Sequence, residues 1–395
     1  MRNGVMETIK SFEPELVEIR REIHRHPEIG YEEVRTAKLV AEKLRGWGLE
    51  VEEGIGRTGV VGTLRGACAG NGAVGLRADL DALTIQEVPG RDHGSTVAGK
   101  MHACGHDGHT AMLLGAARYL SENRDFSGMV RFIFQPAEEG LAGARSMLEE
   151  GLFERFPVDA VYGMHNIPGM PVGTFATRPG PLMAAGDSWT ATFSGTGGHG
   201  GGGAHLATDP TLAAAQFILA IQTIVSRNVP AVETAVVSVG HMRGGEFAAP
   251  NIIPNEVLVR GTARSYKPEI RDLLERRLTE IAAACGTVYG CEGKLDYFRR
   301  YPPLVNHAAE TEVAASAARA LVGEGAVTVE TEPRMFSEDF AFLLQARPGA
   351  FIFIGNGVGP NGEAAQLHTS DYDFNDAILT LGASYWVNLV REALG

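Results

Sequence analysis

The sequence predicts an α/β protein: a mixed, mostly parallel sheet, interrupted by an inserted βαββαβ (ferredoxin-like) unit. Three observations carry this. Short strand-type runs alternate with helical stretches through the first half of the chain, as parallel sheets with crossover helices require. The texture changes near residue 185, and the earlier style resumes after residue 300. With 395 residues the chain exceeds the size of one hydrophobic core, so two domains are expected: residues 1–184 and 300–395 forming one, residues 185–299 the other.

The elements follow in order. From Met6 to about Arg25, Ile9, Leu16, Ile19 and Ile23 recur at helical spacing. "HPEIGYEE" interrupts with Pro27 and Gly30 before a second helix, Val34 to Trp47. "LEVEEG", "GVVGTLRG", "AVGLRADLDAL", "GMVRFIFQ" and "DAVYGMH" have strand character, with helices near Thr110 to Ser121 and Gly143 to Leu152 between them. In the insert, "GDSWTATFSGTGGHGGGGAH" is an alternating strand that ends in the glycine tract Gly200 to Gly203. A long helix follows, with Thr208 or Asp209 as N-cap and Pro210 in its first position. Two strand runs, "TAVVSVGHM" and "NEVLVRGTARSY", precede an amphipathic helix from Pro268 to about Ala284 and a last strand near Lys294 to Arg299. "GAFIFIGNG" and the closing helix "DAILTLGASYWVNLVREAL" return to the first domain.

Composition excludes several partner classes. A net charge of −13 lacks the concentrated basic surface that nucleic acid demands. No run of about 18 apolar residues is present, so no membrane span is expected, and the charged start is unlike a secretory leader. Four scattered cysteines, Cys68, Cys104, Cys285 and Cys291, suit a reduced interior rather than a disulfide scaffold. The expected compartment is cytoplasmic.

The densest chemical signal is "KMHACGHDGHTAMLLGAARYL", which holds His102, Cys104, His106 and His109. Residues two apart share a side only in extended backbone, so Cys104 and His106 can meet one ion only if they precede the helix, placed here from Thr110. A nearby helix N-terminus would favour a Cys104 thiolate. The plain alternative is a buried free cysteine beside surface histidines. Further candidate ligands stand at strand ends, where α/β sheets collect them: Glu138 and Glu139 after "RFIFQP", and His165 in "VYGMHN". An adjacent carboxylate pair can divide the labour between metal ligand and base, although most such pairs are solvated helix starts. Arg77, Asp79 and Asp81 lie in an apolar strand, where charge must be paired, for structure or for function. His368 lies in a polar loop and alone would read as surface.

Together, "HRHPEIGYEE", "GLRADLDAL", "MHACGHDGHTAMLLGAA", "FQPAEEGLAGARSML", "GMHN", "GGHG", "NIIPNEVLVRGTARS", "FSEDFAF" and "LHTSDYDF" resemble the signatures of the co-catalytic metallopeptidase and aminoacylase family. The resemblance is to its branch of hippurate hydrolases, N-acyl-L-amino-acid amidohydrolases and indole-acetyl-amino-acid hydrolases. It implies that the insert is a lid and dimerisation domain, that the protein is a homodimer or higher homo-oligomer, and that each subunit holds two divalent ions, manganese, zinc, cobalt or nickel. Carried over, Cys104, His106, Glu139, His165 and His368 match the metal ligands, with Cys104 bridging. Glu138 matches the general base and Asp79 a supporting aspartate. Arg77 stands where other branches carry a ligating histidine. In the insert, His199 matches a histidine that helps hold the substrate carbonyl, and Asn251 and Arg264 fall in segments lining the substrate side. Arg264 would pair with a substrate carboxylate, or is simply a surface strand residue.

The implied reaction is hydrolysis of the amide of N-acyl amino acids, aryl-acyl forms included, to a carboxylic acid and a free amino acid. The alternatives are a dipeptidase or carboxypeptidase, hydrolytic removal of an amine from a nonstandard small molecule, or a metal-dependent regulatory protein without turnover. One departure stands out: the branch commonly has a bulkier residue and a proline where this chain has "GGHGGGGAH", which predicts an unusually free loop.

Overall fold

The computed structural model describes residues 2–359 and 362–395. Two compact units emerge: Met1–Leu182 with Val305–Glu332 and Asp339–Gly395, and Met183–Leu304 with Pro333–Glu338.

The first unit is built on eight strands in the order 50–55, 59–65, 127–135, 68–79, 160–168, 349–357, 175–177 and 327–329. The central strand Cys68–Asp79 runs parallel to Ser127–Gln135 on one side and to Ala160–Pro168 on the other. Gly349–Gly357 continues the parallel set beside Ala160–Pro168, while Glu50–Ile55 and Gly59–Arg65 form an antiparallel flank. The parallel strands are buried on both faces from Ala73, Val130 and Ala160 onward, which explains why they read as near-continuous apolar runs. The C-terminal ends of Cys68–Asp79, Ser127–Gln135 and Ala160–Pro168 therefore open on one edge, and the charged residues of the sequence sit there.

Two helical stretches differ from those the spacing predicts. The first helical stretch is two helices, Arg2–Ser11 and Glu13–Arg25, because Pro14 occupies the first turn of the second and has no N–H to continue the first. The helix after the histidine cluster starts at His106, not Thr110, and runs to Glu122. Gly105 is its N-cap at φ +98°, and a Cβ there would collide with Asn166 and Tyr372. Cys104 thus lies in the bend before the helix and His106 in its first turn, whereas the spacing predicts that both precede the helix.

The second unit is a four-stranded antiparallel sheet in the order 235–244, 256–265, 185–194, 292–301, with helices Pro210–Ala220 and Pro268–Val288. Asp209 is the N-cap, accepting the Thr211 N–H at 2.8 Å. Trp189, Phe193, Phe217, Val259, Leu274 and Leu278 form its own core. Pro333–Glu338 returns to this unit from far downstream, where the Ala184 N–H meets the carbonyls of Arg334 and Phe336 at 3.1 Å each. No local pattern signals that return.

Candidate metal centre

Residues from four separate segments of the first unit converge at the strand ends. Cys104 precedes the helix that begins at His106; Glu138 and Glu139 follow the strand Ser127–Gln135; His165 lies on Ala160–Pro168; His368 comes from a downstream loop, at φ +63°. Ligand atoms of Cys104, His106 and His165 lie within 4.8 Å of one another, and so do those of Cys104, Glu139 and His368. The two triads share one atom, Cys104 Sγ, which stands 3.3 Å from His165 Nε2 and 3.3 Å from His368 Nε2. His106, Glu138 and Glu139 form a third overlapping group.

The imidazoles are oriented from behind. His106 Nδ1 donates to the Asp81 carbonyl at 2.9 Å and His165 Nδ1 to the Asn166 carbonyl at 2.7 Å, so each ring turns Nε2 toward the centre. His106 Nε2 and Glu139 Oε1 are buried and have no hydrogen-bond partner among the described residues, although His368 Nε2 comes to 3.0 Å of that oxygen. His106 Nε2, buried and unpartnered where these groups converge, has a cation as its natural partner. A donor set of one thiol, three imidazoles and a carboxylate suits a divalent ion of intermediate softness.

The electrostatics agree. Burial opposes charge on His106, yet the carboxylates of Asp79, Asp81 and Glu139 push its pKa up to about 10. Burial, followed by the carboxylates of Glu139, Glu138 and Asp79, holds the Cys104 thiol well above its ordinary range. At Cys104, burial and the neighbouring carboxylates therefore outweigh the helix N-terminus that would favour a thiolate, and a bound cation would displace the thiol proton.

Asp81 ties the glutamate pair down. Its Oδ1 accepts the Glu138 N–H at 3.0 Å and its Oδ2 the Glu139 N–H at 2.9 Å. Glu138 is buried, with one carboxylate oxygen 3.4 Å from the Asp339 N–H. Asp79 accepts from His109 Nδ1 at 2.7 Å and from Arg77 Nη1 at 2.8 Å, and lies 3.6 Å from His106 Nε2. Burial disfavours its charge, but His106, Arg77 and His109 hold its carboxyl well below the usual range. Arg77 also reaches Asp339 at 3.1 Å and Gln135 at 2.8 Å. Arg77 and Asp79 thus form a paired core charge, and Asp79 lies on the side of His106 that carries Nε2, the nitrogen facing the centre.

Other candidates fall outside the converging set. His102 is buried with both ring nitrogens unpartnered among the described residues, and burial brings its pKa down to about 3. His109 sits behind the centre, between Asp79 and Asn166. His199, Asn251 and Arg264 belong to the second unit: His199 is exposed on a two-residue strand paired with Ile252, the Asn251 carbonyl accepts the Gly200 N–H at 2.8 Å, and Arg264 Nη1 bonds to the carbonyls of Asp187 and Ala263 and to Thr262. Sequence reasoning missed Asp339, Gln135, Asn166 and Tyr372, and gave Asp81 no role. The only local signal for Asp81 was a charge in an apolar run.

Comparison with known proteins finds relatives over nearly the whole chain. A family model described as Peptidase family M20/M25/M40 matches residues 75–392. The chain is 41% identical over 388 residues to a hippurate hydrolase of Campylobacter jejuni, covering 98% of each. It is 40% identical over 380 residues to thermostable carboxypeptidase 2 of Saccharolobus solfataricus, covering 95% of this chain and 94% of that one. The crystal structure of the Bacillus subtilis YXEP protein, described as a dinuclear metal binding peptidase from the M20 family, superposes with a TM-score of 0.82 at 33% identity, covering 96% and 98% of the two chains.

Proposed function

Because the chain belongs to peptidase family M20/M25/M40, we propose that it is a metal-dependent amidohydrolase that cleaves N-acyl amino acids, aryl-acyl forms included, to a carboxylic acid and a free amino acid. The observation that carries this is the pair of donor triads sharing Cys104 beside the buried carboxylate of Glu138. Cys104, His106, Glu139, His165 and His368 would hold two divalent ions, manganese, zinc, cobalt or nickel, with Cys104 common to both. Such ions, when bound, polarise an amide carbonyl and acidify a water.

Each remaining role belongs to the chain's own groups. Glu138 takes a proton from the attacking water and returns it to the leaving amine nitrogen, so one water is consumed per amide broken. Asp81 fixes the backbone from which Glu138 and Glu139 project. Asp79, held by Arg77 and His109, is the supporting carboxylate beside His106 Nε2, while the Asp81 carbonyl keeps the His106 ring in place. From the second unit, His199 donates to the developing oxyanion, and Asn251 and Arg264 contact the amino-acid portion, Arg264 through the substrate carboxylate. That unit, which spans the expected 185–299 insert, acts as a lid and dimerisation domain of a cytoplasmic homodimer. Nucleic acid and membranes are not among the partners.

The likeness to a carboxypeptidase favours one second reading, cleavage of peptides from the carboxyl end at the same centre. The test is a panel of N-acetyl, N-benzoyl and long-acyl amino acids beside free dipeptides, given to chelated protein reloaded with manganese, zinc, cobalt or nickel. Metal-dependent release from the acylated substrates alone supports the aminoacylase reading. Turnover of peptides alone supports the second.

A further inference from the structure

The glycine tract is not the unstructured loop its composition suggests. The short strand Gly198–His199 pairs with Ile252–Ile253, and Gly200–Gly203 then wraps around the histidine it follows. The Gly200 N–H bonds to the Asn251 carbonyl at 2.8 Å and the Gly203 N–H to the His199 carbonyl at 2.9 Å. The two amides between them turn onto the imidazole: Gly201 N–H and Gly202 N–H both point at His199 Nδ1, at 3.1 and 2.9 Å.

A nitrogen that receives two N–H groups must carry its lone pair and no proton. In a neutral imidazole the proton then resides on Nε2. We propose that the backbone amides of Gly201 and Gly202 are positioning groups that fix His199 as the tautomer with a proton on Nε2, making that nitrogen a ready-oriented hydrogen-bond donor. The inference rests on the reading that His199 donates to the oxyanion, and deepens it: an acceptor at that place would repel the developing charge, so the tautomer is part of the chemistry.

Glycine serves here through backbone approach more than conformation. A Cβ on Gly200 would come within 3.2 Å of the Asn251 carbonyl oxygen, tighter than ordinary contact. On Gly201 and Gly202 it would meet His199 ring atoms no closer than 3.4 and 3.8 Å. Alanine at these two positions therefore keeps both the amide and the space, while proline removes the amide.

The experiment is long-range nitrogen NMR of histidine-labelled full-length protein, with the His199 signals identified by their loss in H199Q, and steady-state kinetics on an N-acyl amino acid. The wild type is expected to show a protonated Nε2 and an unprotonated Nδ1 at His199. G201A/G202A should keep this pattern and wild-type kcat. G201P/G202P should show mixed tautomers and a kcat lower by roughly tenfold with KM little changed, short of the roughly 10²–10³-fold lost when an oxyanion donor is deleted. A proton on Nδ1 in the wild type overturns the proposal even if the proline variant does not fold, as does a folded proline variant that retains the pure Nε2–H form. The Nε2–H form together with full activity in H199Q leaves the tautomer standing and overturns the oxyanion role instead.

Discussion

Asp81 accepts the Glu138 backbone N–H at 3.0 Å with one carboxylate oxygen, and with the other it holds the next residue, Glu139, at 2.9 Å. One buried aspartate thereby aligns the proposed base and a proposed ligand. Asp81→Asn puts an amide NH₂ against one of those N–H groups and breaks that bond. Groups that orient ligands are worth about 10–100-fold in metal affinity or activity. A loss of that size in kcat, with an unchanged circular dichroism spectrum, is expected; full activity would show that the pair orients itself.

Cys104 belongs to both donor triads, whereas His165 and His368 each belong to one. Cys104→Ala is therefore expected to lower the metal content of reloaded protein from two equivalents to one or fewer, and His368→Ala from two to about one. Elemental analysis of desalted protein reads this directly. A Cys104→Ala protein with two tightly held ions would contradict a shared thiolate.

Arg77 is about 1% exposed and bonds to the buried carboxylates of Asp79 and Asp339. Arg77→Met removes the guanidinium that these two carboxylates share, and breaking such a buried pair costs about 3–5 kcal/mol. Urea unfolding should show a loss of that order. Arg77→Met of wild-type stability would mean that the carboxylates take up protons at no cost.

His24 and Glu87 give the first unit a pH-dependent stability. Burial disfavours charge on His24, but its hydrogen bonds to Asp107 and Glu87 push its pKa up to about 9 from an ordinary 6.5. Its contribution is full below pH 6.5 and is lost as pH rises through 9. Burial likewise opposes the Glu87 charge, which His24, the Ser95 N–H and Arg91 outweigh, bringing its pKa down to about 2 from 4.5. That contribution is full above pH 4.5 and is lost as pH falls toward 2. A plot of Tm against pH should decline on the alkaline side between 6.5 and 9, and His24→Gln should flatten that limb. An unchanged slope in the variant would assign the decline to other groups.

Much of this candidate centre is legible in the chain because the residues that converge in it cluster locally or stand after strong strand signals. Cys104 and His106, Glu138 and Glu139, and His165 each follow such a pattern. The helix start was misplaced because apolar periodicity begins only at Thr110, whereas Gly105, free to take φ +98°, already caps the helix at His106. Asp339 stands in the signature segment "FSEDFAF", but its bond to Arg77 spans 262 residues of sequence, and no local pattern encodes such a contact. The glycine tract misled for the opposite reason. Its composition suggests freedom, but its amides have specific partners in His199 and Asn251.

The most direct test of the proposed chemistry is Glu138→Gln, assayed for turnover of an N-acyl amino acid and for metal content in the same preparation. Glutamine keeps the shape of the side chain and cannot take the proton from water. Two equivalents of bound metal and a kcat reduced by about 10²–10⁴-fold, the usual worth of a general base, are expected. Two equivalents of metal with half of wild-type turnover would contradict that role.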